Sequence, residues 1–92
     1  MARKRIVVAG RVQGVSYRAY AADEAMRLGL HGWVRNRKDG EVEALVDGPD
    51  EAVAEFIEWC KRGSPGARVD GVDAKDDVSN DALGPFEVRP TV

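Results

Sequence analysis

Lys38-Asp39-Gly40 stands between two short strand-like runs, His31 to Arg37 and Glu41 to Val46, and this junction restricts the possible folds more than any other segment. Asp-Gly favours the positive φ angles of a tight hairpin, so the two runs are predicted to be adjacent antiparallel strands. The second run begins with the alternation Glu41-Val42-Glu43-Ala44, as a half-buried strand does. A segment with helical spacing lies on each side of the hairpin. Upstream, Tyr17, Ala21, Ala25 and Leu28 recur at that spacing with Ala22 and Met26 beside them; Gly29 supplies a stop, and Leu30 is placed for the accompanying apolar contact. Downstream, Pro49 suits the first position of a helix, and Asp50 and Glu51 complement its positive end. Val53, Phe56, Ile57 and Cys60 form an apolar stripe that Gly63-Ser64-Pro65-Gly66 ends.

The outer segments complete the pattern. Arg5 to Val12 contains the run Ile6-Val7-Val8-Ala9, which ends at Gly10 and reads as a buried strand. Arg68 to Lys75 reads as a fourth strand whose irregular apolar pattern points to a bulge, and Phe86 to Arg89 alternates as a final strand before Pro90. The order β-α-β-β-α-β predicts an α+β, ferredoxin-like sandwich, with two helices on one face of an antiparallel sheet. Ninety-two residues leave room for one core, so residues 1–92 are expected to form one domain.

Composition narrows the function classes. With 43% hydrophobic and 33% charged residues the chain can bury a core and is not of a disordered type. Its longest apolar runs fall far short of the roughly 20 residues that cross a bilayer, and its first residues lack the apolar stretch of a signal peptide, so a cytoplasmic location is expected. Cys60 is the only cysteine, which excludes an internal disulfide and leaves no metal-ligand spacing. It is expected in the core, and the lone histidine, His31, is expected to be structural or solvated. Residues 1–38 carry nine Lys/Arg against two Asp/Glu, and residues 39–92 carry five against fourteen. Such a division either solvates two faces or concentrates an anionic ligand at the basic part.

The chemistry is concentrated in Gly10-Arg11-Val12-Gln13-Gly14-Val15-Ser16-Tyr17-Arg18, a strand end, a glycine-bearing loop and a helix start. That junction suits an anion, because free N–H groups point outward, the helix dipole favours negative charge and glycine permits close approach. Arg18 adds a planar fork for phosphate oxygens. The segment lacks the Lys-Ser/Thr ending of a nucleotide phosphate loop and the cysteine of a thiol phosphatase. Taken alone, Arg18 also reads as half of a surface ion pair, and Asn36 as an ordinary residue before a turn. Tyr20 reads as a packing residue that could flank the loop, Trp33 as a packing residue near it, and Trp59 as a partly exposed helix residue.

Two spaced motifs give the chain a family resemblance. Gly10 to Arg18 resembles the acylphosphatase signature loop, and Gly32-Trp33-Val34-Arg35-Asn36 followed by Asp39-Gly40-Glu41-Val42-Glu43 resembles that family's second signature. The likeness continues through Gly48-Pro49 and Gly84 to Arg89. The resemblance implies that Gly14, Val15, Ser16, Tyr17 and Arg18 hold the phosphate of an acyl phosphate and that Asn36 positions the attacking water. It implies a monomer that uses no metal or cofactor and takes inorganic phosphate as product and competitive inhibitor. Ser16-Tyr17 departs from the family's more apolar pair, which often ends in phenylalanine, so the loop's packing is open. The segment Val72 to Val78 is more acidic than the family norm, which leaves the length of the fourth strand open. RNA-recognition domains share the element order but need aromatic platforms on the first and third strands, and here those runs contain none, so nucleic acid is not an expected partner. A non-catalytic sensor of acyl or carbamoyl phosphate on the same fold is the alternative.

Overall fold

The computed structural model describes residues 1–92 as seven elements: β1 (Ala2–Arg11), α1 (Tyr17–Arg27), β2 (His31–Asn36), β3 (Val42–Gly48), α2 (Asp50–Arg62), β4 (Arg68–Asp76) and β5 (Glu87–Arg89). The sheet runs in the order β4-β1-β3-β2-β5. Its first four strands are antiparallel to their neighbours, as the ferredoxin-like reading expects. The short β5 adds in parallel to β2, pairing Trp33 with Glu87 and Arg35 with Arg89, so the whole sheet is mixed. Because β4 and β5 occupy opposite edges, the chain between them crosses one end of the sheet. It is held there by Asp77 N–H to Arg3 O, by the Arg3 guanidinium on Ser79 O and by Gly32 N–H to Gly84 O. No helix is long and apolar enough to cross a membrane.

One face of the sheet carries both helices. Ile6, Val8, Val34, Val42, Ala44 and Val46 point to that side and meet Tyr17, Ala21, Ala22 and Ala25 of α1 and Val53, Phe56 and Cys60 of α2. α1 ends as expected. Gly29 takes φ 71°, and the N–H groups of Gly29 and Leu30 close on Met26 O and Ala25 O while Leu30 is buried. Met26, by contrast, is exposed. Trp59 is buried rather than partly exposed, because α2 turns that side toward α1; its ring lies 5.2 Å from Tyr17 and 6.2 Å from Phe56, and Ile57 moves to the half-buried flank. Pro49 stands one position before the helix and accepts the Val53 N–H on its carbonyl.

β1 begins earlier than the apolar pattern predicts, since Arg3 and Lys4 are satisfied by Asp47 and Asp76 on the neighbouring strands. The expected bulge lies at Asp70, where β4 pairs Gly71 with Ala9 and then Val69 with Gly10. Gly10 has φ 128°, and a Cβ there would lie 2.1 Å from Arg68 O, so only glycine fits the approach.

The other face of the sheet has no helix and is roofed by guanidinium groups. Trp33 is buried there, with the guanidinium carbons of Arg35 and Arg89 at 4.4 and 5.2 Å from its ring centre. Glu43 is buried beside it between Arg5 and Arg35. Burial raises the Glu43 carboxyl, but bonds from Arg35 and Arg5 outweigh that and hold it below its ordinary range.

Candidate active site

The loop between β1 and α1 is shaped by two left-handed residues, Gly14 at φ 75° and Ser16 at φ 59°. Alternating hand turns successive N–H groups toward one concavity, the geometry of an anion-binding nest. Ser16 occupies the position before α1 without using its side chain as a cap. The first helical bond is Tyr20 N–H to Ser16 O at 3.2 Å, so the N–H groups of Tyr17, Arg18 and Ala19 lie in the first turn, which has no intrahelical acceptor. α1 has no acidic residue in that turn to compete for an anion.

Three side chains fix this loop. The Gln13 amide donates to Arg37 O at 2.7 Å and Glu41 O at 2.9 Å, which ties the loop to the β2–β3 hairpin. Ser64 Oγ, buried just beyond α2, donates to Val15 O at 2.9 Å. The Tyr17 hydroxyl donates to Cys60 O at 2.8 Å in the core. Burial pushes the Tyr17 hydroxyl well above its ordinary pKa, so it keeps its proton and remains a donor. This bond is what the departure at Ser16-Tyr17 contributes: the aromatic ring packs on Trp59, and the added hydroxyl satisfies a carbonyl at the end of α2.

Arg18 and Asn36 are brought to the same end of the sheet. Arg18 reaches the Arg89 carbonyl at 3.4 Å, and Arg89 is the β5 partner of Arg35, the residue before Asn36. Asn36 ends β2 two residues after Val34, which faces the helices, so strand alternation puts Asn36 on the side that α1 covers. Its carbonyl accepts the Val92 N–H at 3.1 Å, while Lys38 N–H donates to Val92 O at 2.7 Å. Arg18 has no carboxylate within ion-pair distance, so the surface-ion-pair reading of this residue does not apply.

The remaining candidates lie elsewhere. His31 starts β2, at the opposite end from Asn36, and is exposed. Cys60 is buried, and burial pushes its thiol up to about 12, so it is not a thiolate nucleophile at neutral pH. Trp33 packs on the face away from the loop, and Tyr20 is exposed rather than packed. No sequence signal marks Ser64 or the Val92 backbone, and Gln13 is marked only as part of the Gly10–Arg18 segment. A serine in Gly63-Ser64-Pro65-Gly66 looks like ordinary helix termination, and only the fold brings it against Val15.

Ser64 is therefore expected to govern the loop. Ser64→Ala leaves the Val15 carbonyl without its partner, at a cost of about 1–3 kcal/mol. Thermal unfolding should move down by roughly 4–8 °C per kcal/mol, and phosphate affinity, measured by titration, should fall with it. Unchanged melting and unchanged phosphate affinity would show that the loop holds its shape without this bond.

The comparisons with known proteins agree with the motifs. The family model described as acylphosphatase matches residues 4–88. The chain is 57% identical over 88 residues to an acylphosphatase of Anaeromyxobacter dehalogenans, covering 95% of this chain and 94% of that protein. It is similar in structure to the acylphosphatase of Bacillus subtilis, with a TM-score of 0.92, 40% identity, and coverage of 97% of this chain and 99% of that one. An acylphosphatase from Coxiella burnetii gives a TM-score of 0.89 at 34% identity, over 96% and 92% of the two chains. With the family model matching nearly the whole chain and the two signature segments meeting where Arg18 and Asn36 lie at one end of the sheet, this chain belongs to the acylphosphatase family.

Proposed function

We propose that this chain hydrolyses acyl phosphates to a carboxylate and inorganic phosphate. In this reading Arg18 and the amides from Gly14 to Arg18 hold the phosphoryl group, and Asn36 positions the attacking water. The observation that carries the proposal is the convergence, in an acylphosphatase-family chain, of a left-handed loop, a helix start without a competing acid and an arginine without a carboxylate partner at the end of the sheet where Asn36 lies. The water oxygen forms a new P–O bond as the P–O bond to the acyl group breaks, and the electron pair leaves with the carboxylate. A carboxylate leaves readily, so no general acid is needed to protonate it. Donors aimed at the phosphoryl oxygens stabilise the charge that develops, and an asparagine amide can both accept from and donate to water without titrating.

The test is release of inorganic phosphate from benzoyl phosphate in the presence of a metal chelator, with a simple aryl phosphate ester alongside. Turnover of the acyl phosphate is expected to persist in chelator, and the ester, with its poorer leaving group, is expected to react far more slowly. Loss of activity on chelation would overturn the metal-free mechanism, and equal turnover of the ester would point to another phosphatase chemistry. Phosphate binding without turnover of any acyl phosphate would instead support the sensor alternative.

A further inference from the structure

The two halves of the site stand on strands that are not neighbours. Arg18 and the loop amides follow β1, Asn36 ends β2, and β3 lies between those strands in the sheet. A single row joins them: Val8 pairs with Val42, and Val42 pairs with Asn36. Beyond Val8 the row is lost, because β1 leaves β3 and continues to Arg11 on β4 alone, through the bulge after Ala9. The loop therefore starts where the ladder has stopped fixing it to the strands that carry Asn36. On its other side Asn36 is held by the Val92 N–H, a bond that makes no connection with the loop.

Gln13 bridges this gap. Its half-buried side-chain amide donates to Arg37 O at 2.7 Å, on the outgoing arm of the hairpin, and to Glu41 O at 2.9 Å, on the returning arm, which uses both of its N–H donors. No other hydrogen bond joins the loop from Val12 to Ser16 to the hairpin from Arg37 to Glu41. Neither carbonyl depends on Gln13 for a partner. Arg37 O also accepts the Gly40 N–H at 3.1 Å, and Glu41 O also accepts the Arg37 N–H at 2.8 Å. The hairpin is closed without this side chain, so removing the amide leaves no carbonyl unsatisfied. What the bridge adds is the placement of the hairpin, and with it the adjoining Asn36, against the loop.

We propose that Gln13 is a positioning residue for the hydrolysis, which fixes Asn36 relative to the phosphate loop so that the water held by Asn36 lies in line with the phosphoryl group held by the loop. This inference rests on the acyl-phosphate reading above and on the roles given there to Arg18 and Asn36. In-line attack is sensitive to that alignment, and a displacement of about 1 Å can lower a rate about 10²-fold. The other two anchors of the loop act differently. Ser64 holds Val15 O, and the Tyr17 hydroxyl holds Cys60 O, so both tie the loop to the end of α2 and shape the cradle without any link to Asn36. Loss of the Ser64 bond is therefore expected in phosphate affinity, and loss of the Gln13 bridge in rate.

The experiment measures kcat for benzoyl phosphate and inhibition by inorganic phosphate in the wild type, Gln13→Met, Gln13→Glu, Asn36→Ala and the double variants that combine each Gln13 change with Asn36→Ala. Methionine keeps the length of the side chain without a donor, and an ionised glutamate keeps its shape without one. The loop retains its Ser64 and Tyr17 bonds, so the variants should fold, as circular dichroism checks. Each Gln13 variant is expected to lower kcat by about 10–10²-fold, with phosphate inhibition changed by less than about twofold. In the Asn36→Ala background the same change should slow turnover by less than about twofold, because the group it aligns is gone. A side chain with only a structural role would cost the same factor in both backgrounds. Equal factors, a wild-type kcat in the Gln13 variants, or phosphate binding weakened as much as kcat is lowered would each overturn the positioning role while leaving the hydrolase reading intact. Should Gln13→Met fail to fold, Gln13→Glu carries the same comparison, and failure of both would show that the bridge holds the fold rather than the alignment. If the wild type does not hydrolyse benzoyl phosphate, both readings fall together.

Discussion

Arg18→Gln is expected to lower kcat/KM for an acyl phosphate by about 10³-fold or more, the scale on which an arginine meeting a transferring phosphoryl group contributes. The proposed role has the guanidinium touching phosphate in the ground state and in the transition state, so the loss should appear in binding as well. Inorganic phosphate should inhibit at least about tenfold more weakly, a change of about 1.4 kcal/mol. Arg18→Lys keeps the charge without the planar fork and should recover part of the binding and less of the rate. The only hydrogen bond the wild-type side chain makes within the chain is a long one to the Arg89 carbonyl, and it has no ion pair, so stability should change by no more than about 0.5 kcal/mol. Steady-state kinetics with phosphate as competitor separates the two effects. Undiminished phosphate affinity in Arg18→Gln would remove this residue from the cradle.

Asn36→Ala is expected to give the opposite division, with kcat lowered by about 10²–10³-fold and phosphate affinity little changed. In the proposed role the asparagine contacts the water rather than the phosphate, so its removal should cost an interaction made chiefly in the transition state, worth about 3–4 kcal/mol. The backbone at this position is fixed independently of the side chain, by the Val92 N–H on the Asn36 carbonyl and by pairing with Val42 on β3. The variant should accordingly fold, and a lost rate can be assigned to the amide. Near-normal turnover in the folded variant would end the water-positioning role and strengthen the sensor alternative. Equal losses of rate and phosphate affinity would place Asn36 in the cradle itself.

Much of this architecture is legible in the sequence. Asp39-Gly40 announced the hairpin because few residues tolerate its backbone angles, and Gly29-Leu30 announced the end of α1 for the same local reason. The apolar stripe of α2 was visible in outline, yet which flank it buried was not. Trp59 and Ile57 sit on either side of that stripe, and the choice fell to Trp59 because Tyr17 of α1 lies on its side. The start of β1 at Ala2 was likewise hidden, since Arg3 and Lys4 suit a strand only beside Asp47 and Asp76. At the site, the two signature segments identified Arg18, Asn36 and the loop by resemblance. Ser64 carried no motif and Gln13 was marked only as a member of the loop segment, and their function as anchors exists only across 49 and 24 residues of chain.

The sequence by itself determined the order of elements, the hairpin, the glycine-bearing loop and the family, because turn chemistry, hydrophobic period and spaced motifs all act over a few neighbouring residues. The tertiary structure alone decided which charges remain free. Nine Lys/Arg among the first 38 residues look like one basic region. Folding sets Arg3, Lys4 and Arg5 against carboxylates from β3, β4 and the residue after it, and leaves Arg11, Arg18 and Lys38 without one at the loop. It also decided that the fifth strand joins in parallel at the far edge, bringing the Arg89 carbonyl to Arg18. Both outcomes depend on pairings between segments far apart in the chain, where the partner's position, and not the residue's own type, sets the energy.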